Sequence, residues 1–131
     1  MKTPFRLAAA VFLFLPSAAK ADPLAGLWQT SPGRDGGFGH VRIVPCGNAL
    51  CGTVVQTFDA GGKPVQADDL GAVVLDRVTA TGNGAYGEGR IVNPETGRGY
   101  TARLQLRGDR LDVGGCVMMI CRNAGAWRRV P

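Results

Sequence analysis

Two frames of identical spacing, CGNALC (Cys46, Cys51) and CVMMIC (Cys116, Cys121), hold all four cysteines of the 131-residue chain. Four thiolates can bind zinc or close two disulfides. A structural zinc site calls for C-x2-C spacing or supporting histidines; both pairs here are C-x4-C, and His40 is the chain's single histidine. In an exported chain, which the first residues describe (below), an even cysteine count reads as a disulfide framework. Three pairings are open. The local ones, Cys46 with Cys51 and Cys116 with Cys121, suit hairpins in which a four-residue loop makes the cysteines direct cross-strand neighbours. Closing so short a loop stabilises a fold by about 2 kcal/mol.

Acid–base and metal chemistry have little to work with. His40 stands beside Arg42 on what reads as an outward strand face, so it is expected to be solvated. Asp68 and Asp69 are adjacent in the long loop FDAGGKPVQADDLG, and neighbouring carboxylates in an extended segment point apart. Glu88 falls in a strand and Glu95 in the turn NPETG, which lacks the alternating acids of a calcium loop. No G-x-S-x-G, H-E-x-x-H or P-loop pattern occurs. The expectation is therefore no catalytic residue, no metal, no cofactor and no enzyme. What stands out instead is the interior of CVMMIC, with Val117, Met118, Met119 and Ile120 where a polar turn belongs. Methionine is flexible and polarisable and suits surfaces that accept varied apolar partners. Three readings are open: the four side chains fold inward as a plug, line a pocket mouth, or form an exposed patch that meets a membrane or another envelope protein.

The elements that position these residues start with a leader. Lys2 and Arg6 precede an apolar run from Leu7 to Leu15, followed by small residues and Ala19-Lys20-Ala21. A basic start, a short apolar core and an A-x-A site describe a secretory signal peptide over residues 1–21. The run is about half as long as a bilayer span requires, so no stable membrane insertion is expected. The rest, residues 22–131, fits one domain. The formal charge of +5 includes Lys2, Arg6 and Lys20; without them 12 basic residues face 10 acidic ones, a net +2. That balance, spread without a basic run, excludes a nucleic-acid partner. The location implied is the periplasm of a Gram-negative bacterium, or the extracellular space.

Glycine is abundant, turn signals recur every eight to twelve residues, and no convincing helical period appears. Eight strands are predicted, over 25–30, 39–45, 51–58, 71–79, 85–92, 98–107, 110–116 and 121–129. Closing a hairpin at Gly108-Asp109 sets Leu106 opposite Leu111, Leu104 opposite Val113, and Gln105 opposite Asp112 on the wet side. A one-residue slip would invert every face. Pairing Cys46 with Cys51 sets Ile43 opposite Val54 and gathers Val41, Ile43 and Val54 on the core face, with that disulfide outside. Short local connections give an antiparallel up-and-down meander. Eight such strands close into a small barrel without free edges, wide enough for a filled interior or one small ligand. A two-sheet sandwich, or a barrel of five or six strands, is the alternative.

In such a meander the loops around 31–38, 59–70, 93–97 and 117–120 gather at one rim, opposite the short turns. Phe38, Val117, Met118, Met119 and Ile120 are then the candidate ligand-binding residues. The leading expectation is binding of an apolar or amphipathic small molecule. An envelope interaction or structural module without a cavity is second, and an enzyme third. Strict pairing leaves Trp127 on the Arg110 side rather than the core side, which hints at a register shift near the tip.

The stretches DPLAGLWQT, CGNALCG, GRIVNPETGRGYTARLQLRGDRLDVGGC and CRNAGAWRRV resemble, in order and spacing, a bacterial family of exported proteins known as domain of unknown function 2147 (DUF2147). The resemblance covers nearly the whole mature chain and implies a β-rich, calycin-like domain. A second resemblance is to lipocalins. Gly26-Leu27-Trp28 is similar to their G-x-W, and Arg128 or Arg129 to their late arginine stacked on that tryptophan. Such a contact contributes about 0.5–2 kcal/mol and would latch the first strand to the last; otherwise Trp28 and Trp127 are ordinary core aromatics.

Overall fold

The computed structural model describes residues 3–4, 8–11 and 21–131, so most of the leader expected over residues 1–21 lies outside the described residues. The described chain is all-β. Its strands are β1 (Gly26–Gln29), β2 (Phe38–Cys46), β3 (Ala49–Phe58), β4 (Pro64–Val65), β5 (Val73–Gly82), β6 (Ala85–Gly87), β7 (Arg90–Val92), β8 (Gly99–Arg107), β9 (Arg110–Val117) and β10 (Ile120–Arg129). Neighbours run antiparallel in chain order. The sheet closes because β1 pairs with both β2 and β10, while β3 pairs with β5. β6 and β7 are two pieces of one strand between β5 and β8, and β4 is a two-residue ribbon hung on the end of β3. The result is the eight-strand barrel that the turn spacing predicts, not a sandwich.

The β8–β9 hairpin has the expected register, with Leu106 opposite Leu111, Gln105 opposite Asp112 and Leu104 opposite Val113. In the β2–β3 hairpin the register differs. Cys46 pairs with Ala49 around a two-residue turn, so Val41 rather than Ile43 faces Val54, and Cys51 sits opposite Val44. The Cys46–Cys51 disulfide is thus diagonal, with a Cα–Cα distance of 5.7 Å. A shift of two residues preserves side-chain parity, and Val41, Ile43 and Val54 are buried together as expected. In β9–β10, Cys116 does face Cys121 directly, and they too are bonded.

One bulge governs the last strand. Asn123 pairs with Gly114 but Gly125 pairs with Val113, leaving Ala124 as an extra residue. Ile120 and Arg122 border the lumen above it; below it the odd-numbered Trp127 turns into the core, 6 % exposed and opposite Leu111. The bulge is the register shift that Trp127 hints at.

Below the bulge the lumen is filled. Trp28, Leu24, Ile43, Leu75, Leu104 and Leu111 are fully buried there, closing the end that carries the short turns. The segment before β1 folds under the barrel: Leu24 accepts a hydrogen bond from Trp28 Nε1 at 2.9 Å, and Asp22 Oδ1 accepts from Leu24 N at 2.8 Å and from the Tyr86 hydroxyl at 2.6 Å. The predicted arginine latch is Arg129, not Arg128. Its guanidinium lies 4.4 Å from the Trp28 ring centroid, and Nη2 donates to the Pro23 carbonyl at 2.7 Å. The bulge decides the choice, since it turns odd-numbered side chains inward below Ala124 and leaves Arg128 exposed. Gly26, at φ +138°, clears the space: a Cβ there would stand 3.2 Å from Arg129 Nη1.

Burial, and then its bond to Asp22, pushes the Tyr86 phenol up to about 12. The fold favours the neutral phenol, so its contribution is full below the ordinary value near 10 and is lost as pH climbs from about 10 to about 12. Denaturant-measured stability is expected to fall by roughly 2–3 kcal/mol across that window, and Tyr86→Phe should flatten the decline.

Candidate functional site

Above the bulge the lumen is hollow. A cavity of about 1470 Å³ opens between the loops of one rim, larger than the roughly 300–1,000 Å³ that holds a drug-sized ligand. Its floor and walls are Val41, Val54, Val74, Ile91, Val113 and Trp127, and its upper wall carries Phe38, Phe58 and Tyr100. Phe38 and Phe58 are partners across β2–β3 and stack at 4.9 Å. The cup exists because side-chain volume is graded: large residues fill the base, while Gly39, Gly115 and valines line the walls above.

Four connections surround the mouth: residues 30–37, 59–72, 93–98 and the tip 118–119. In ring order the tip stands opposite the 59–72 loop, and the 30–37 and 93–98 loops face each other. These two meet across the mouth, where the Glu95 carboxylate lies 3.4 Å from where a Cβ on Gly33 would stand. The rim acids shape their own loops: Asp35 Oδ1 accepts from Gly37 N at 2.9 Å, and Asp59 Oδ1 from Gly61 N at 3.0 Å and Lys63 N at 2.9 Å. Asp68 and Asp69 also border the mouth, whereas Glu88 bonds Thr79 outside the cavity lining. Arg34 and Arg122 are the cations on the lining.

Of the five predicted ligand-binding residues, Phe38, Val117, Met118 and Ile120 border the cavity and Met119 does not. The inward-plug reading of the tip is overturned: Val117 is 51 %, Met118 91 %, Met119 97 % and Ile120 69 % exposed. Val117 pairs with Ile120, so the strands run to the end of the hairpin and raise the two methionines onto the rim, Met118 at its inner edge and Met119 off the lining. Met118 and Met119 form the turn with φ +49° and +74°, a geometry that prefers Asn-Gly and costs about 1–2 kcal/mol per residue for side chains of this kind. Cys116 and Cys121, on the outer face, clamp the strands one pair below Val117 and Ile120.

Sequence reasoning missed Phe58, Tyr100 and Trp127 as lining. Tyr100 was legible as an inward position near a strand end at the rim, in phase with Ala102 and Leu104, whereas Phe58 has the parity of Phe38 and His40 and reaches the mouth at the end of β3. His40 is not fully solvated: it is half-buried, its ring 4.7 Å from Phe58, and burial holds its imidazole below the ordinary 6.5. Among the described residues no three His, Cys, Asp or Glu side chains group as a metal site, and the four cysteines are the two disulfides. Among the described residues no helix is long and apolar enough to cross a membrane.

A family model described as uncharacterized protein conserved in bacteria (DUF2147) matches residues 26–129. No curated protein matches the chain. Among solved structures it is similar to protein HP1028 from the human pathogen Helicobacter pylori, described as belonging to the lipocalin family. The TM-score is 0.68 at 18 % identity, over 82 % of this chain and 83 % of that one. At that identity the likeness establishes the fold.

Proposed function

Because the chain belongs to the DUF2147 family of bacterial proteins and folds as a lipocalin-like barrel, we propose that it binds an apolar or amphipathic small molecule in the cup. The observation that carries this reading is the cavity itself, about 1470 Å³ with an aliphatic and aromatic floor and, Arg122 of β10 apart, its charged groups on the rim loops. An apolar chain would lie against Val54, Val113 and Trp127, leaving its polar end among the rim groups. The reading assigns no catalysis and no cofactor. It includes export to the periplasm or beyond, supported by the two disulfides, which persist in oxidising compartments, and by the leader-like pattern of residues 1–21.

The test uses the chain's own tryptophans. Trp127 borders the cavity and Trp28 lies in the closed base, so a dansyl-labelled fatty acid entering the cup should accept energy from the tryptophans, and Trp127→Phe should weaken its binding by removing the ring it packs on. Val54→Trp, which fills the hollow, is expected to weaken probe binding tenfold or more, about 1.4 kcal/mol or greater, with the unfolding midpoint little changed. Native mass spectrometry of protein purified from its own cells should retain a lipid-like adduct. Probe binding that ignores both Val54→Trp and Trp127→Phe would sink the proposal.

A further inference from the structure

The Met118–Met119 hairpin tip is placed at odds with two ordinary preferences. Large apolar side chains avoid full exposure at a loop tip, and non-glycine residues avoid the left-handed backbone. Here both methionines are more than nine-tenths exposed and both have positive φ. Val117 and Ile120 flank them, so four consecutive apolar residues project from the barrel. The Cys116–Cys121 bond fixes the hairpin beneath them, so the patch keeps its projecting shape instead of collapsing onto the rim.

Charge is divided across the mouth in a way that suits one kind of partner. Residues 113–131 contain no acid, and residues 90–107 contain Glu95 alone against Arg90, Arg98, Arg103 and Arg107. Arg90, Arg98 and Arg103 are exposed on the flank beside the tip. The opposite loop carries Asp59, Asp68 and Asp69 against Lys63. The apolar prow and the arginines beside it match a bilayer surface rich in anionic phospholipid, where apolar burial and basic attraction add, while the acids across the mouth are repelled and leave the tip side leading.

We infer that the Met118–Met119 tip inserts into the interface of a bilayer containing anionic phospholipid and holds the tip side of the cup's mouth against it. Because Val117, Met118 and Ile120 also border the cavity, a seated tip brings the mouth to the lipid. The inference stands apart from the ligand reading, since it concerns the exposed tip of the rim and is measured without any added ligand.

The test is co-sedimentation of the purified protein with phosphatidylcholine vesicles, with and without phosphatidylglycerol. Met118→Asn with Met119→Gly installs the sequence that the turn prefers, so the fold is retained or strengthened while the apolar prow is removed. Partitioning onto phosphatidylglycerol vesicles is expected to fall by roughly tenfold or more. Arg98→Glu with Arg103→Glu should weaken binding to the anionic vesicles alone. The Val54→Trp protein should still sediment like wild type, since docking needs no empty cup. Three results would overturn the inference: wild-type protein that stays in the supernatant, a double methionine variant that partitions like wild type, or sedimentation abolished by Val54→Trp. Tip-dependent self-association in analytical ultracentrifugation would overturn it too, in favour of a second copy as the occupant.

Discussion

Deleting Ala124 is expected to leave the chain without a native barrel. Above that residue the even-numbered side chains of β10 border the lumen; below it the odd-numbered ones do, and the extra residue makes the exchange. Without it Trp127 and Arg129 would point outward, while Ala126 and Arg128 would turn toward the core. The Cys116–Cys121 bond prevents the hairpin from relieving the change by slipping, because it holds the two cysteines opposite each other. Losing a buried tryptophan costs about 3–5 kcal/mol, and losing the guanidinium–indole contact about 0.5–2 more. Set against a typical stability of about 5–15 kcal/mol, the sum removes about half of it, and turning the Arg128 charge toward the core without a partner removes more; near-ultraviolet circular dichroism and urea titration would reveal the loss. Ala124→Ser, at an exposed position of unchanged length, should differ from wild type by about 0.5 kcal/mol or less. A deletion variant that unfolds at the wild-type midpoint would show that the bulge does not set the phase of the strand. Gly125 next to it is equally constrained, at φ +117° with a Cβ position that would run into Ser31 Oγ.

Trp28→Ala is expected to be the most damaging single substitution at the base, lowering the unfolding free energy by about 3–5 kcal/mol. Trp28 is fully buried and stacks on Arg129, and its Nε1 donates to the Leu24 carbonyl. Removing it opens the floor beneath Leu104 and Leu111 and frees the segment that carries Asp22. Arg129→Lys should cost less, about 1–2 kcal/mol, because a lysine lacks the planar face and the fork that reaches Pro23, Ala25 and Asp109. A Trp28→Ala protein with wild-type stability would refute the latch.

The architecture was largely legible because every pairing in this sheet but one joins neighbours in sequence. Gly108-Asp109 fixes the β8–β9 register on its own, with apolar partners on one face and Gln105 opposite Asp112 on the other. CGNALC was ambiguous, since a two-residue turn at Gly47-Asn48 and a four-residue loop differ by two residues and bury the same face. The bulge carries no local mark; only its result, a tryptophan on the wrong side, is visible in the sequence. The choice between Arg128 and Arg129 stayed open for the same reason, the phase below Ala124 being set by the bulge. The depth of the cup depends on which side chains meet across the lumen, a relation of volumes between distant strands. The outward tip ran against hydrophobicity, which by itself points Val117 to Ile120 inward.

The base of the barrel is also where the polypeptide comes and goes. Residues 22–25 enter beneath Trp28, and Arg129, just before Val130 and Pro131, leaves beside them, with Val130 N bonded to the Leu27 carbonyl. Whatever is attached just before Asp22 or just after Val130, whether an affinity tag on a sensor chip or a fused carrier, therefore grips the molecule by its foot. The bowl then faces away from the support, unshadowed and free to fill.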